Sequence, residues 1–204
     1  MKKHIVVVIT GASGACYGLG LIRELLAAGC RVSLLVSDAG RQVVAYETGL
    51  DLATTPGQTI LQIRNYLGVD GELECYAVND FFAPVASGTA APDAVVIVPC
   101  SMGTAGRIAS GLSENLIERV ADVALKERRE LILVPRETPF NQIHLENLLS
   151  LSKAGAVILP AMPAFYQNPE SIDDMVNFVV GKILDALRVN HQLFTRWGSE
   201  GKSE

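Results

Sequence analysis

The sequence predicts an α/β protein with three layers, in which helices cover both faces of a mainly parallel, doubly wound, Rossmann-like sheet. The first observation is a set of short runs that are apolar on both faces, as the strands of a buried parallel sheet are. The second is that amphipathic helical patterns separate these runs, which is typical of βαβ units. The predicted strands cover residues 5–9, 32–36, 94–98, 131–134 and 156–159.

The helical patterns have recognisable ends. Apolar residues at helical spacing between 19 and 26 precede Gly29, a common kind of helix stop. The stripe over 116–125 runs into the basic turn 126–129, which suits a helix C-terminus. Further helices are predicted over 143–154 and 171–187, the second with Ser171 as its cap.

The stretch 51–91 interrupts this alternation. It contains Thr-Thr-Pro-Gly at 54–57, a short predicted helix near 59–67 and a predicted loop over 79–91. An insertion of this length in a compact domain usually carries function or assembly contacts. We therefore expect one α/β domain over 1–190 that contains the insertion, followed by a C-terminal arm over 191–204.

Composition narrows the functional classes. The 204 residues carry a net charge of −5, with 49% apolar and 19% charged residues. An acidic chain is a poor binder of phosphate backbones, so nucleic acid is not expected as a partner. The high apolar share predicts a large core and surface buried against other copies of the chain. No run approaches the ~20 apolar residues of a membrane span, so no membrane partner is expected.

The cysteines and histidines do not indicate a metal site. Four cysteines are scattered without a CxxC pair, and three histidines accompany them. Zinc ligands normally occur as closely spaced pairs. We therefore expect reduced cysteines, no bound metal and a cytoplasmic location.

The turns that follow the predicted strands are the candidate ligand site, because ligands of open α/β sheets bind at the carboxyl ends of the strands. These turns cover residues 10–14, 37–38, 99–104, 135–137 and 160–163, and most are rich in Gly, Ser, Thr or Pro. Turns of this kind expose backbone N–H groups at helix N-termini, which favour an anion. They predict a ligand that carries a phosphate.

The first turn does not match the fingerprints of the larger nucleotide cofactors. Ser13 stands where GxGxxG needs its second glycine, and Ala15 and Tyr17 replace the later glycines of TGxxxGxG. No tyrosine has a lysine four residues later, as short-chain dehydrogenases require, and the GxxxxGK[ST] phosphate loop is absent. A mononucleotide such as FMN therefore fits better than NAD.

A basic cluster spans residues 119–136. Arg128 and Arg129 are interpreted as a solvated helix end. Arg136 and Glu137 follow a predicted buried strand, so we expect them at the ligand-binding edge. An arginine there can bind a phosphate with two parallel hydrogen bonds, and a carboxylate beside it can exchange a proton.

Longer stretches of the chain carry a resemblance to one known family. They are TGASGACYG at 10–18, PCSMGT at 99–104, NLIERVADVALKERR at 115–129, LVPRETPF at 133–140 and HLENLLSLSKAGAVILPAMPAFY at 144–166. In these motifs the chain resembles the flavin prenyltransferases, which make prenylated FMN for partner decarboxylases of ubiquinone or aromatic-acid metabolism. The resemblance implies a flavoprotein-type fold and a dodecamer with sites between subunits. It also implies that a dimethylallyl group passes from dimethylallyl phosphate to N5 and C6 of reduced FMN.

The resemblance assigns roles to residues position by position. It implies flavin contacts from Gly11, Ala12, Ser13, Ser37, Ser101, Met102, Gly103, Thr104 and Arg136. It implies that the donor phosphate is held by Arg119, Lys126, Tyr166 and Lys182. It implies catalytic roles for Ser13, Glu47, Lys126 and Glu137, with Ser13 near flavin N5 and Glu137 in acid–base chemistry. The DDxxD motif that holds magnesium in ordinary prenyltransferases fails at Asn177, which agrees with transfer without a metal.

Two other functions share this architecture. One is an FMN-dependent decarboxylase that acts on a cysteine-derived peptide, and the other is an FMN-carrying accessory subunit that feeds a decarboxylase without turnover of its own. The sequence leaves open which decarboxylase receives the product and whether the prenyl donor is a monophosphate or a diphosphate.

Overall fold

A computed structural model describes residues 2–195, and its centre is one six-stranded sheet in which all neighbouring strands are parallel. The strands are β1 (His4–Ile9), β2 (Arg31–Val36), β3 (Glu72–Cys75), β4 (Ala94–Cys100), β5 (Glu130–Pro135) and β6 (Val157–Ile158). Their order is β3-β2-β1-β4-β5-β6. The chain therefore changes direction between β1 and β4, which is where ligands of doubly wound sheets bind.

Seven helices cover the two faces of this sheet in the described residues. They are α1 (Ala15–Ala27), α2 (Asp38–Thr48), α3 (Pro56–Leu67), α4 (Met102–Ala109), α5 (Leu116–Lys126), α6 (Gln142–Lys153) and α7 (Ile172–Ala186). Alternate residues of β1 enter opposite cores: Val7 belongs to the core that includes apolar residues of α1, α2, α3 and α7, and Val8 belongs to the core that includes those of α4, α5 and α6. Apolar side chains on both faces of the strands are thus explained by helices on both sides, which confirms the predicted fold class.

The short helix predicted near 59–67 is confirmed as α3, but the interpretation of the first half of 51–91 as an insertion is wrong. Helix α3 and strand β3 form a regular crossover that extends the sheet beside β2. Strand β3 escaped prediction because it is a short edge strand in which Glu72 and Glu74 alternate with the buried Leu73 and Cys75. The remaining segment, 76–90, packs over α5 and includes two short 3-10 turns, Pro84–Ala86 and Gly88–Ala90.

The first residues of the predicted C-terminal arm pack against α7. The His191 ring lies 3.3 Å from Asp185 Oδ1, and the Phe194 ring lies 5.3 Å from the ring of Phe178. Gly181 leaves the space that these rings occupy. Residues 196–204 of the arm lie outside the described residues.

No helix among residues 2–195 is long and apolar enough to cross a membrane. Within the same range, no three His, Cys, Asp or Glu side chains are grouped so that they could hold a metal ion. All four cysteines are free thiols.

Candidate active site

The turn between β1 and α1 is shaped by two glycines and by a carboxylate from another helix. A side chain at Gly11 would place its Cβ 2.5 Å from Ala39 Cβ, and Gly14 has a φ of 108°. Glu47, near the end of α2, accepts hydrogen bonds from the N–H of Gly14 (3.0 Å) and of Ala15 (2.8 Å). This carboxylate fills the anion position at the N-terminus of α1. A ligand phosphate is therefore expected elsewhere, while Ser13 stays exposed on the turn.

Three other helices begin around one cavity of about 330 Å³. Ser37 caps α2, Ser101 caps α4 and Asn115 caps α5, each accepting a hydrogen bond from a backbone N–H of its own helix. The cavity is lined by Gly11, Ser37, Asp38, Ala39, Val78, Ser101, Thr104, Arg107, Asn115 and Ile117. Converging helix N-termini concentrate positive partial charge, so this cavity suits a phosphate.

A buried hydroxyl fixes the start of α4 beside the first turn. Thr10 Oγ1 donates a hydrogen bond to the carbonyl of Pro99 and accepts one from Ser101 N–H, both at 2.8 Å. Met102 is buried and packs in the core beneath α4, so only its backbone is available to a ligand, whereas Gly103 is exposed. The tie through Thr10 thus places the 99–104 turn against the 10–14 turn.

A wider hollow of about 640 Å³ adjoins this cavity and shares Gly11 and Ala39 with it. Its lining consists of Gly11, Ser13, Ala39, Gln42, Val43, Tyr46, Glu47 and Arg136. Arg136 Nε donates to the carbonyl of Ser13 at 3.1 Å, which joins the end of β5 to the turn after β1. Glu137 follows it on the surface, and its Oε1 accepts a hydrogen bond from Thr138 N–H at 3.0 Å.

Two predicted donor-binding residues lie on α5, away from this hollow. Arg119 Nε donates to the carbonyl of Ala86 (3.0 Å), and Lys126 lies over Gly88, where a Cβ would be 2.8 Å from its Nζ. Lys126 also pairs with Glu127. Because Lys126 is nine residues beyond Ile117 of the cavity lining, it lies about 14 Å further along the helix axis.

The other two predicted donor-binding residues form a third location, with Lys182 on α7 and Tyr166 in the preceding loop, packed against that helix. The Tyr166 ring meets the ring of Phe178 edge-on, with 6.0 Å between centroids. Lys182 is exposed one helical turn beyond Phe178. Neither Tyr166 nor Lys182 lines the cavity or the hollow. A single chain therefore brings Gly11, Ser13, Ser37, Ser101, Thr104 and Arg136 to the cavity and the hollow, whereas the side chains of Ala12 and Met102 are buried outside both linings. The predicted donor residues lie in two other places.

Sequence reasoning missed Arg107 and Glu118. Arg107 follows Thr104 by one helical turn, so its position after the 99–104 motif could have indicated that it faces the same ligand. No sequence signal indicated that it pairs with Glu118. Burial alone would raise the pKa of the Glu118 carboxyl. Hydrogen bonds from the N–H of Glu114 and from the side chains of Arg107 and Asn115 outweigh that effect and hold its pKa below the ordinary value.

Comparison with known proteins agrees with this architecture. A family model described as Flavoprotein matches residues 1–184. The chain is 52% identical to Flavin prenyltransferase UbiX of Halalkalibacterium halodurans over 192 residues, which cover 94% of this chain and 92% of that protein.

Two solved structures are similar over nearly the whole chain. The crystal structure of AnUbiX (PadA1) in complex with FMN and dimethylallyl pyrophosphate has a TM-score of 0.87 and 39% identity, covering 98% of this chain and 100% of that one. A dodecameric FMN-dependent Ubix-like decarboxylase from Escherichia coli O157:H7 has a TM-score of 0.84 and 36% identity, covering 95% and 98%.

Proposed function

Because the chain belongs to the flavin prenyltransferase family, we propose that it is an enzyme that joins a dimethylallyl group from dimethylallyl phosphate to N5 and C6 of reduced FMN. One observation carries this assignment to particular residues. A cavity ringed by three helix N-termini adjoins a wider hollow at the topological switch point of the sheet. Together they have the size and polarity of a mononucleotide site.

The residues present suit FMN. The phosphate fits the cavity beside Ser37, Ser101 and Thr104, with the exposed backbone of Gly103 at the start of α4. The flavin ring fits the hollow, where Gly11 and Ser13 form one wall and Arg136 approaches from β5. Bound there in its reduced form, FMN supplies the nucleophilic atoms of the reaction.

Side chains of the protein position the flavin, accept the proton and stabilise the leaving phosphate. Ser13 is presented toward the flavin by a turn that Glu47 holds through two backbone N–H groups, so we assign Glu47 a positioning role. Glu137 is solvent-accessible beside Arg136 and takes up the proton released when the second bond forms, from the prenyl tertiary carbon to C6 of the flavin. The charge of the departing phosphate is neutralised by Lys126, Arg119 and Lys182. The Tyr166 hydroxyl donates a hydrogen bond to the same phosphate.

These groups can meet only if several copies of the chain assemble. The flavin residues, the α5 pair (Arg119 and Lys126) and the α7 pair (Tyr166 and Lys182) occupy three separate surfaces. An exposed aromatic side chain accompanies each surface: Tyr46 is 93% exposed, Phe82 99% and Phe165 70%. Large exposed rings of this kind mark protein interfaces.

We therefore propose a homo-oligomer in which the site forms between subunits, a dodecamer like the solved Escherichia coli protein. A decarboxylase that uses prenylated FMN is the proposed recipient of the product. We also place the protein in the cytoplasm, which the four free thiols support because a reducing compartment keeps thiols unpaired.

The mass of the flavin tests this function. The assembled protein is incubated without oxygen with reduced FMN and dimethylallyl phosphate, and in a parallel reaction with the diphosphate. We expect flavin heavier by one five-carbon unit with the monophosphate. Flavin of unchanged mass with both donors would contradict the proposal and favour the cysteine-type decarboxylase or the accessory subunit.

A further inference from the structure

We propose that Arg107 binds the phosphate of FMN and that Glu118 is its positioning residue, so that this pair sets the preference of the chain for FMN over riboflavin. The inference rests on the proposed function, because it takes the phosphate to lie in the 330 Å³ cavity. Neither residue was among those predicted from the sequence.

A phosphate bound in the cavity needs a positively charged partner, and Arg107 can provide it. Among the described residues that line the cavity, Arg107 alone is positively charged, and Asp38 is negatively charged. Helix N-termini carry only partial charges, and the Asp38 carboxylate opposes an anion. A phosphate with close to two negative charges near neutral pH is therefore held best with the guanidinium present.

A buried carboxylate fixes the orientation of the Arg107 guanidinium. The Glu118 side chain is 0% exposed, and its Oε1 accepts a hydrogen bond from Arg107 Nε at 2.6 Å. The Arg107 side chain itself is 46% exposed at the cavity, with Nη2 at 3.4 Å from Thr104 Oγ1. Glu118 engages Nε and Thr104 takes one long contact from Nη2, so Nη1 and the second N–H of Nη2 are left for a ligand, in the planar fork that matches phosphate.

Glu118 also joins Arg107 to the third helix N-terminus of the cavity. Its Oε2 accepts from Glu114 N–H at 2.7 Å, and its Oε1 accepts from Asn115 Nδ2 at 2.8 Å. Asn115 caps α5, whereas Arg107 comes from α4. The carboxylate thus locks a side chain of one helix to the start of another before any ligand binds, which lowers the ordering cost of binding.

The test compares affinities for FMN and riboflavin, which differ only in the phosphate. Dissociation constants are measured by quenching of flavin fluorescence for the wild type, Arg107→Met, Arg107→Lys and the control Arg23→Gln. Arg23 pairs with Glu24 on α1 and does not line the cavity. We expect Arg107→Met to weaken FMN binding by about 10- to 100-fold and to leave riboflavin binding and the control unchanged. Arg107→Lys should fall between.

The positioning role of Glu118 is tested by a double-mutant cycle. Glu118→Gln should weaken FMN binding by about 3- to 10-fold when Arg107 is present and have no further effect in the Arg107→Met background. Thermal unfolding of each variant separates this loss from a loss of fold. If Glu118→Gln does not fold, the two Arg107 variants decide the proposal.

Three results would overturn the inference. One is wild-type affinity for FMN in Arg107→Met, and a second is an equal loss of FMN and riboflavin binding. The third is an equal effect of Glu118→Gln in both backgrounds. If the wild type binds FMN tightly and one of these results is found, the inference about Arg107 and Glu118 fails but the proposed function stands. If the wild type binds no FMN, the inference and the proposed function are both refuted.

Discussion

The flavin side and the donor side of the proposed site are built in opposite ways. On the flavin side, Thr10, Glu47 and Arg136 are all tied by hydrogen bonds within one chain to the turns that they position. On the donor side, Lys126 and Lys182 stand on the outer surfaces of α5 and α7, remote from the flavin hollow. In the proposed function, one chain therefore supplies the flavin-binding surface but not the whole transferase site.

This difference shows which part of the function depends on assembly. Binding of FMN should be a property of each chain, because its contacts come from neighbouring strand ends of one sheet. Transfer should require the interfaces, because positive charges from other surfaces must reach the leaving phosphate. Variants on the two sides should therefore affect different measurements.

The largest expected effect is that of Glu137→Gln. Loss of a proton acceptor in the reaction typically lowers the rate by about 100-fold or more, while FMN binding should stay within about twofold of the wild type. Product formation under single-turnover conditions and flavin fluorescence give the two values. A wild-type rate in this variant would remove Glu137 from the mechanism.

Lys182→Met should have a smaller effect, confined to the donor. Removing one of several charges around the phosphate is expected to raise the KM for dimethylallyl phosphate about tenfold without changing FMN affinity. Lys182→Arg keeps the charge and serves as the matched control, with a KM close to that of the wild type. A loss of FMN affinity in Lys182→Met would place this residue on the flavin side instead.

Mixed oligomers test the assembly directly. If Lys126 and Glu137 of one site come from different copies, random co-assembly of Lys126→Met chains with Glu137→Gln chains leaves about one quarter of the sites intact. Equal co-expression should therefore restore about a quarter of the wild-type activity, although each variant alone is nearly inactive. If both residues came from the same copy, the mixture would stay as inactive as its parents.

The smallest expected effect concerns acid stability. The pKa of Glu118 lies below its ordinary value of 4.5 in the folded chain. Its carboxylate therefore stabilises the fold above pH 4.5, and this contribution is lost as the pH falls through the folded-state pKa. The difference in thermal midpoint between the wild type and Glu118→Gln should accordingly narrow below about pH 4.5. If the thermal midpoints of the two proteins differed by the same amount at every pH, this prediction would be wrong.

Much of the fold could be predicted because apolar patterns act locally. The runs that became β1, β2, β4 and β5 are apolar on both faces, and the cap at Ser171 predicted the start of α7. Strand β3 could not be found in this way, because an edge strand leaves alternate residues in solvent and so looks like a polar segment.

The sequence by itself determined the layered fold and the turns that carry the ligand site, because periodicity and small residues at strand ends are local properties. It also determined the family, through long motifs shared with the flavin prenyltransferases. Tertiary structure alone decided that Glu47 caps α1, that Glu118 holds Arg107 and that the donor residues lie apart from the flavin residues. Each of these depends on how separate helices pack against one another and around the sheet, and no periodic pattern within one element encodes that packing.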